Sequence, residues 1–246
     1  PFPQHEQPRA VLAGPADDLY EMKDYPTAVS TAQRVIGSYP TAEGGIRRSA
    51  WIVVAHGSFE LAQYPQAEGA YSQVLAGLPA DDKSRAGFID NLAASIYKQG
   101  EAANAAQDYR TAANHFLRIR TAAPTSAICA TAEYEAGAAL IRLQDWTAAA
   151  SVLETFRSTY PKHEMQLEAT KQIAYAYRQG GQAAHAAEEY ERLATESKDE
   201  AMRRDSLLAA GDLYQQANAG ERALKAYGRY VEEFPHPVEA ALEARF

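Results

Sequence analysis

Three side chains at helical spacing raise the question of chemistry first. His185, Glu188 and Glu189 stand at i, i+3 and i+4, a pattern that on one helix face could hold a divalent cation. The same spacing also builds an ordinary solvated face of charge pairs. The other histidines, His5, His56, His115, His163 and His236, are scattered, and no His-Glu-x-x-His occurs, so the zinc-hydrolase signature is absent. The adjacent acids Asp17-Asp18, Asp81-Asp82, Glu188-Glu189 and Glu232-Glu233 make poor acid–base dyads, because neighbours on a helix point roughly 100° apart. The first two pairs read instead as caps at helix starts. There is no phosphate-cradling loop and no nucleophile elbow. Without a converging set of reactive groups, the chain reads as non-catalytic, with no metal and no cofactor.

What remains is surface chemistry. Lys98, Arg142, Lys171 and Arg178 stand in a chain whose 24 Lys+Arg are outnumbered by 32 Asp+Glu. The net charge of −8 argues against nucleic acid, whose affinity comes from basic residues displacing counterions. Cys129 is the single cysteine, which excludes an internal disulfide and a thiolate-rich metal site. The most apolar short run, AWIVVA at 50–55, is far below the roughly 20 residues a bilayer crossing needs.

The elements that position those cations are set by a repeat. Ala28, Ala67, Ala112, Ala149, Ala186 and Ala223 follow one another at intervals of 39, 45, 37, 37 and 37 residues, and five of them precede a proline by twelve: Pro40, Pro79, Pro124, Pro161 and Pro235. Self-similarity at such a period means stacked helix hairpins. Twelve residues before the alanines stand Ala16, Ala55, Gly137, Ala174 and Gly211, so two columns of small residues are expected to face each other where the two helices of a hairpin cross. Tyr71, Phe116, Leu153, Tyr190 and Tyr227 follow the alanines by four and are expected to fill the groove to the next hairpin. The third repeat carries six extra residues, expected around 99–105 as a lengthened helix or an irregular elbow. Trp51 to Val54 is β-branched enough for a strand, but the repeat register favours a buried helix. First helices are expected over about 127–143, 165–179 and 202–216, with turns at Gln144-Asp145, Gly180-Gly181 and Asn218-Ala219-Gly220. Thr125 and Ser126 read as caps.

The residues Gly137, Leu140, Ala149, Leu153 and Pro161, with Gly211, Tyr214, Ala223, Tyr227 and Pro235, resemble tetratricopeptide repeats over nearly the whole chain. The aromatic–proline endings Tyr39-Pro40, Tyr160-Pro161 and Phe234-Pro235 are similar to bacterial envelope members of that family, the outer-membrane assembly lipoprotein and the Tol-Pal-associated cell-division coordinator. Departures are Lys198-Asp199 where a proline is expected, Ala16 and Leu19 for the usual Gly and Tyr, and an opening Trp only at Trp51. The resemblance implies an all-α, right-handed solenoid of about six hairpins. It would form one domain, with repeats at about 10–40, 41–80, 81–124, 125–161, 162–199 and 200–235, a loose tail at 1–9 and the start of a further helix at 236–246. It further implies a concave surface, lined by first helices, that binds a protein or peptide, and a place in the periplasm or at the outer membrane, with the cytoplasm as the alternative.

In that register, positions three before and one, four and five after the central small residue face the concavity. They bring Tyr134, Ala138, Ile141 and Arg142 together with Lys171, Tyr175, Arg178 and Gln179, and Lys98 enters from the third repeat. Cations beside aromatic anchors are what binding hot spots are made of, and they point to a groove for an acidic or C-terminal segment. The competing reading has these cations paired with Glu168, Asp205 and Asp212 in a ladder that binds nothing, the chain then being an architectural or oligomerising segment.

Overall fold

The computed structural model describes residues 14–38 and 44–235. Over these residues the chain is all-α, with twelve helices and no strand. They are α1 (Gly14–Glu21), α2 (Tyr25–Ser38), α3 (Gly44–Glu60), α4 (Tyr64–Ala76), α5 (Arg85–Ala105), α6 (Tyr109–Ala122), α7 (Ile128–Arg142), α8 (Trp146–Thr159), α9 (Gln166–Gln179), α10 (Ala183–Glu196), α11 (Glu200–Gln216) and α12 (Gly220–Glu233). They form six consecutive hairpins. The tail at 1–9, the Tyr39-Pro40 ending and the helix start expected at 236–246 lie outside the described residues.

The turns within hairpins share one construction. Lys23, Ala62, Gln107, Gln144, Gly181 and Asn218 all have φ between 55° and 72°, and each lies five residues before an alanine of the repeat column. The next residue's N–H closes the turn on a carbonyl five back, as Asp145 N does on Leu140 O at 3.0 Å and Ala219 N on Tyr214 O at 2.8 Å. Aspartates then start several second helices: Asp108 accepts from Thr111 N at 3.1 Å and Asp145 from Ala148 N at 3.4 Å. Ser126 caps α7 as expected, accepting from Ile128 N at 3.3 Å. Pro65 occupies the first turn of α4, where its missing N–H leaves nothing unpaired.

All six alanines of the column are buried, none more than 2% exposed. Opposite them, however, the crossing is not small against small. A Cβ added at Gly137 would lie 2.5 Å from Leu153, one at Gly100 2.5 Å from Phe116, and one at Gly211 2.4 Å from Tyr227. Phe116, Leu153 and Tyr227 therefore rest on the glycine of their own first helix, whereas Tyr71 meets Phe88 and Tyr190 packs on the core of α11 and α12, both in the next hairpin, as expected. Gly100 also completes the small-residue column in the third repeat. Five residues of helix follow Gly100 in α5, as follow Ala55, Gly137, Ala174 and Gly211, so the six extra residues enter at the start of the 21-residue α5 and not at 99–105. The run 51–54 is helical, within α3.

Contacts group the chain into two compact units, 1–132 and 133–246. In the first, α1 to α6 pack each on its neighbours in sequence, around a ring cluster of Tyr20, Tyr25, His56, Tyr71 and Phe88. In the second, α7 packs on α8 through Tyr134 and Phe156, whose centroids are 5.7 Å apart, and α8 to α12 follow in order. Ala186, Ala187, Ala210, Leu213, Tyr214, Ala223 and Ala226 form one core there. A hydrogen bond recurs at the 37-residue period: Tyr177 donates to Glu154 at 2.6 Å and Tyr214 to Glu191 at 2.7 Å, tying first helices to the hairpin before.

Candidate peptide groove

Which charges are already spent on holding the hairpins together decides which are open to a partner. Second helices are joined to one another by ion pairs. Arg118 of α6 holds Glu68 of α4, with Gln99 of α5 donating to the same carboxylate at 2.6 Å. Burial pushes the Glu68 carboxyl up, but the bonds from Arg118 and Gln99 outweigh it and hold it below the ordinary range. In the second unit Arg157 of α8 makes a two-pronged bond to Glu189 of α10, 2.8 Å on one prong, and touches Thr170 Oγ1 of α9 at 3.3 Å. Both partners are largely buried, and the bond to Glu189 raises the Arg157 pKa. Arg222 of α12 reaches Glu188 of α10 at 2.6 Å. These bonds also disperse the His185, Glu188 and Glu189 trio: both carboxylates face arginines, and His185 stacks on Tyr177 at 5.1 Å. Among the described residues no group of three His, Cys, Asp or Glu is placed to hold a metal.

The first helices present a different surface. Ala138, Ile141 and Arg142 of α7 and Glu168, Lys171, Gln172 and Tyr175 of α9 line one groove of about 350 Å³. Five of these seven were placed there by the repeat register, which missed Glu168 and Gln172. Tyr175 is 45% exposed and is propped edge-on by Trp146 at 5.8 Å, so its ring is held ready without being covered. Lys171 pairs with Glu168 on its own helix at 3.1 Å, an exposed i,i+3 contact of the sort worth about 0 to 1 kcal/mol. The inter-helix ladder thus exists on the second helices, and the pairing of Lys171 is within its own helix.

Tyr134 is a floor residue rather than an open anchor. It is 8% exposed, packs on Phe156, and its hydroxyl accepts from Gln172 Nε2; burial raises its pKa to about 12. Arg178 lines the next cleft, about 310 Å³, between α9 and α11, with Asp205, Leu208, Ala209, Asp212, Leu213 and Gln216, and makes no ion pair among the described residues. Lys98 lies on α5 in the first unit, paired with Glu101 at 2.6 Å. Of the six expected site residues, the structure brings Arg142, Lys171 and Tyr175 together over Tyr134, with Arg178 in the adjoining cleft. Sequence reasoning missed Leu208, Asp212 and Gln216 as lining residues, although the same register on α11, three before and one and five after Gly211, points to them. Trp146 gave a weaker signal, as an aromatic opening a second helix.

Among the described residues no helix is long and apolar enough to cross a membrane. The family model for the tetratricopeptide repeat matches residues 16–42, 131–163 and 205–236. No match is found among curated proteins. Similar solved structures include PilW, a widely conserved type IV pilus biogenesis factor, at 17% identity and TM-score 0.40 over 98% of this chain and 100% of that one. YrrB, a TPR protein with an unusual peptide-binding site, is 18% identical with TM-score 0.43, over 85% and 96%. The Naa15/Naa10 structure bound to HypK-THB is 14% identical with TM-score 0.50; it covers 97% of this chain, which spans 33% of that one, and the likeness is one of fold. The chain therefore carries tetratricopeptide repeats in the three matched stretches, and the hairpins between them have the same build.

Proposed function

We propose that the chain is a non-catalytic interaction scaffold whose second unit grips an acidic protein segment along α7 and α9. Tetratricopeptide-repeat proteins mediate protein–protein interaction, and the observation that carries the finer reading is the exposed Tyr175, braced by Trp146 between Arg142 and Lys171. An aromatic ring that is rigid yet uncovered loses little freedom on binding, and flanking cations attract carboxylates to it. The guanidinium of Arg178 extends the positive surface along α9.

Partners captured from the source cell and identified by mass spectrometry test the reading. Lys171→Glu with Arg178→Glu is expected to remove a discrete subset of those captured by the native chain. An unchanged set leaves the architectural reading, a spacer or oligomerising segment, in its place. An envelope setting is proposed on the aromatic–proline endings Tyr160-Pro161 and Phe234-Pro235. Cell fractionation that finds the protein with cytoplasmic markers removes that part alone.

A further inference from the structure

Residues of α9 and α11 one 37-residue period apart occupy equivalent places: Glu168 and Asp205 keep the same sign, but at two other groove-facing places the charge moves towards negative. Where α9 carries Lys171 and Tyr175, α11 carries Leu208 and Asp212. The α7–α9 groove thus holds two cations, Arg142 and Lys171, against one acid, Glu168, whereas on the α9–α11 side three acids, Asp199, Asp205 and Asp212, face Arg178 and the far side of Lys171. We infer that the segment bound along the second unit is bipolar, with an acidic side chain over the α7–α9 groove and a basic one over Asp205 and Asp212, in that fixed order. This rests on the groove reading above and adds the second charge and the direction.

The acids are prepared for such a partner. Tyr227 donates to Asp212 at 2.6 Å; burial, followed by the bond to Asp212, raises the phenol to about 12, so it stays protonated and aims the carboxylate, leaving further acceptor sites open. Asp205 is 69% exposed and touches Arg204 of its own helix at 3.2 Å, a contact that a ligand cation can replace at little cost. Leu208 and Ala209 supply an apolar floor between the two carboxylates. Helices that pack side by side are roughly 10 Å apart, and an extended chain advances about 3.3 Å per residue. The acidic and basic side chains therefore stand roughly three positions apart, with an apolar residue between them.

Selection of random ten-residue peptides on the full chain, followed by fluorescence anisotropy of the enriched ones, tests this. Enriched peptides are expected to carry Asp or Glu and Lys or Arg about three positions apart, in one order. Replacing the basic residue by alanine should weaken binding about fivefold, as for a partly exposed charge pair. That difference should vanish on Asp212→Asn and on Asp205→Asn, of which the second, exposed, variant guards against a folding defect. Enriched peptides with acids alone, or an unaltered need for the basic residue in both variants, overturn the bipolar inference and leave the groove standing. Failure to enrich any peptide overturns both.

Discussion

At the scale of single residues, two glycines inside helices should respond to alanine with opposite sign. Gly137 lies under Leu153, where a Cβ would meet Cδ2 and Cγ at 2.5 Å; because Leu153 is fully buried, it cannot swing aside. Gly137→Ala should therefore cost about 1–3 kcal/mol by overpacking, more than the roughly 1 kcal/mol that alanine gains in helix propensity. Gly69 of α4 has nothing within 4 Å of its would-be Cβ, so Gly69→Ala should stabilise by about that propensity gain. Urea melts of the two variants check the pair, and equal signs would mean the crossing is looser than drawn. The small-residue column was legible because a 37-residue period survives side-chain variation. What rests on it was not: spacing places Leu153 on the right face of α8 without saying whether it leans onto its own first helix or onward, and only the three-dimensional crossing decides that.

At the scale of the element, the six turns share left-handed backbone but not sequence. Gly181 and Asn218 suit positive φ; Lys23, Ala62, Gln107 and Gln144 do not, and each carries a steric cost of about 1–2 kcal/mol. Ala62→Gly should stabilise the chain by about 1 kcal/mol while Gly181→Ala should destabilise it by a similar amount, read as shifts of the thermal midpoint. These turns were half legible. Gly180-Gly181 and Asn218-Ala219-Gly220 declare themselves by composition, whereas Ala62 and Gln107 sit where their neighbours' hydrogen bonds force them. The misplaced insertion of the third repeat has the same origin: Gly100, at the column position, fixes the end of α5, and the length had to go to its start. The groove cations were legible through the register, but Tyr134 was not, because the same position that faces the groove in α9 is taken inward on α7 by Phe156 and Gln172.

At the scale of the whole molecule, the two units differ in how they answer acid, and each contains one of the two tryptophans, Trp51 and Trp146. In the first unit the His56 ring sits between Tyr20 of α1, Phe88 of α5 and Tyr71 of α4, whose hydroxyl meets Nδ1 at 2.8 Å. Burial lowers its pKa below 6.5, with Glu60 opposing weakly. His115 is lowered too, by burial and then by Arg118, against Glu68 and Asp108. A histidine that protonates less readily when folded contributes stability that is complete above about pH 6.5 and is lost as pH falls from there through the folded value, because the unfolded chain takes up the proton first. The lowered Glu68 works in the same sense at more acid pH, its contribution present above about 4.5 and lost as pH falls through its folded value. Between pH 7.5 and 5.5 His56 and His115 lose this contribution, so the urea midpoint reported by Trp51, in a Trp146→Phe background, should fall further than that reported by Trp146 in a Trp51→Phe background. His56→Gln should remove much of the difference. Repeat arrays unfold through nearest-neighbour terms, so midpoints that move in parallel at both tryptophans would mean that the coupling between successive hairpins exceeds the histidine contribution and that the array melts as one body.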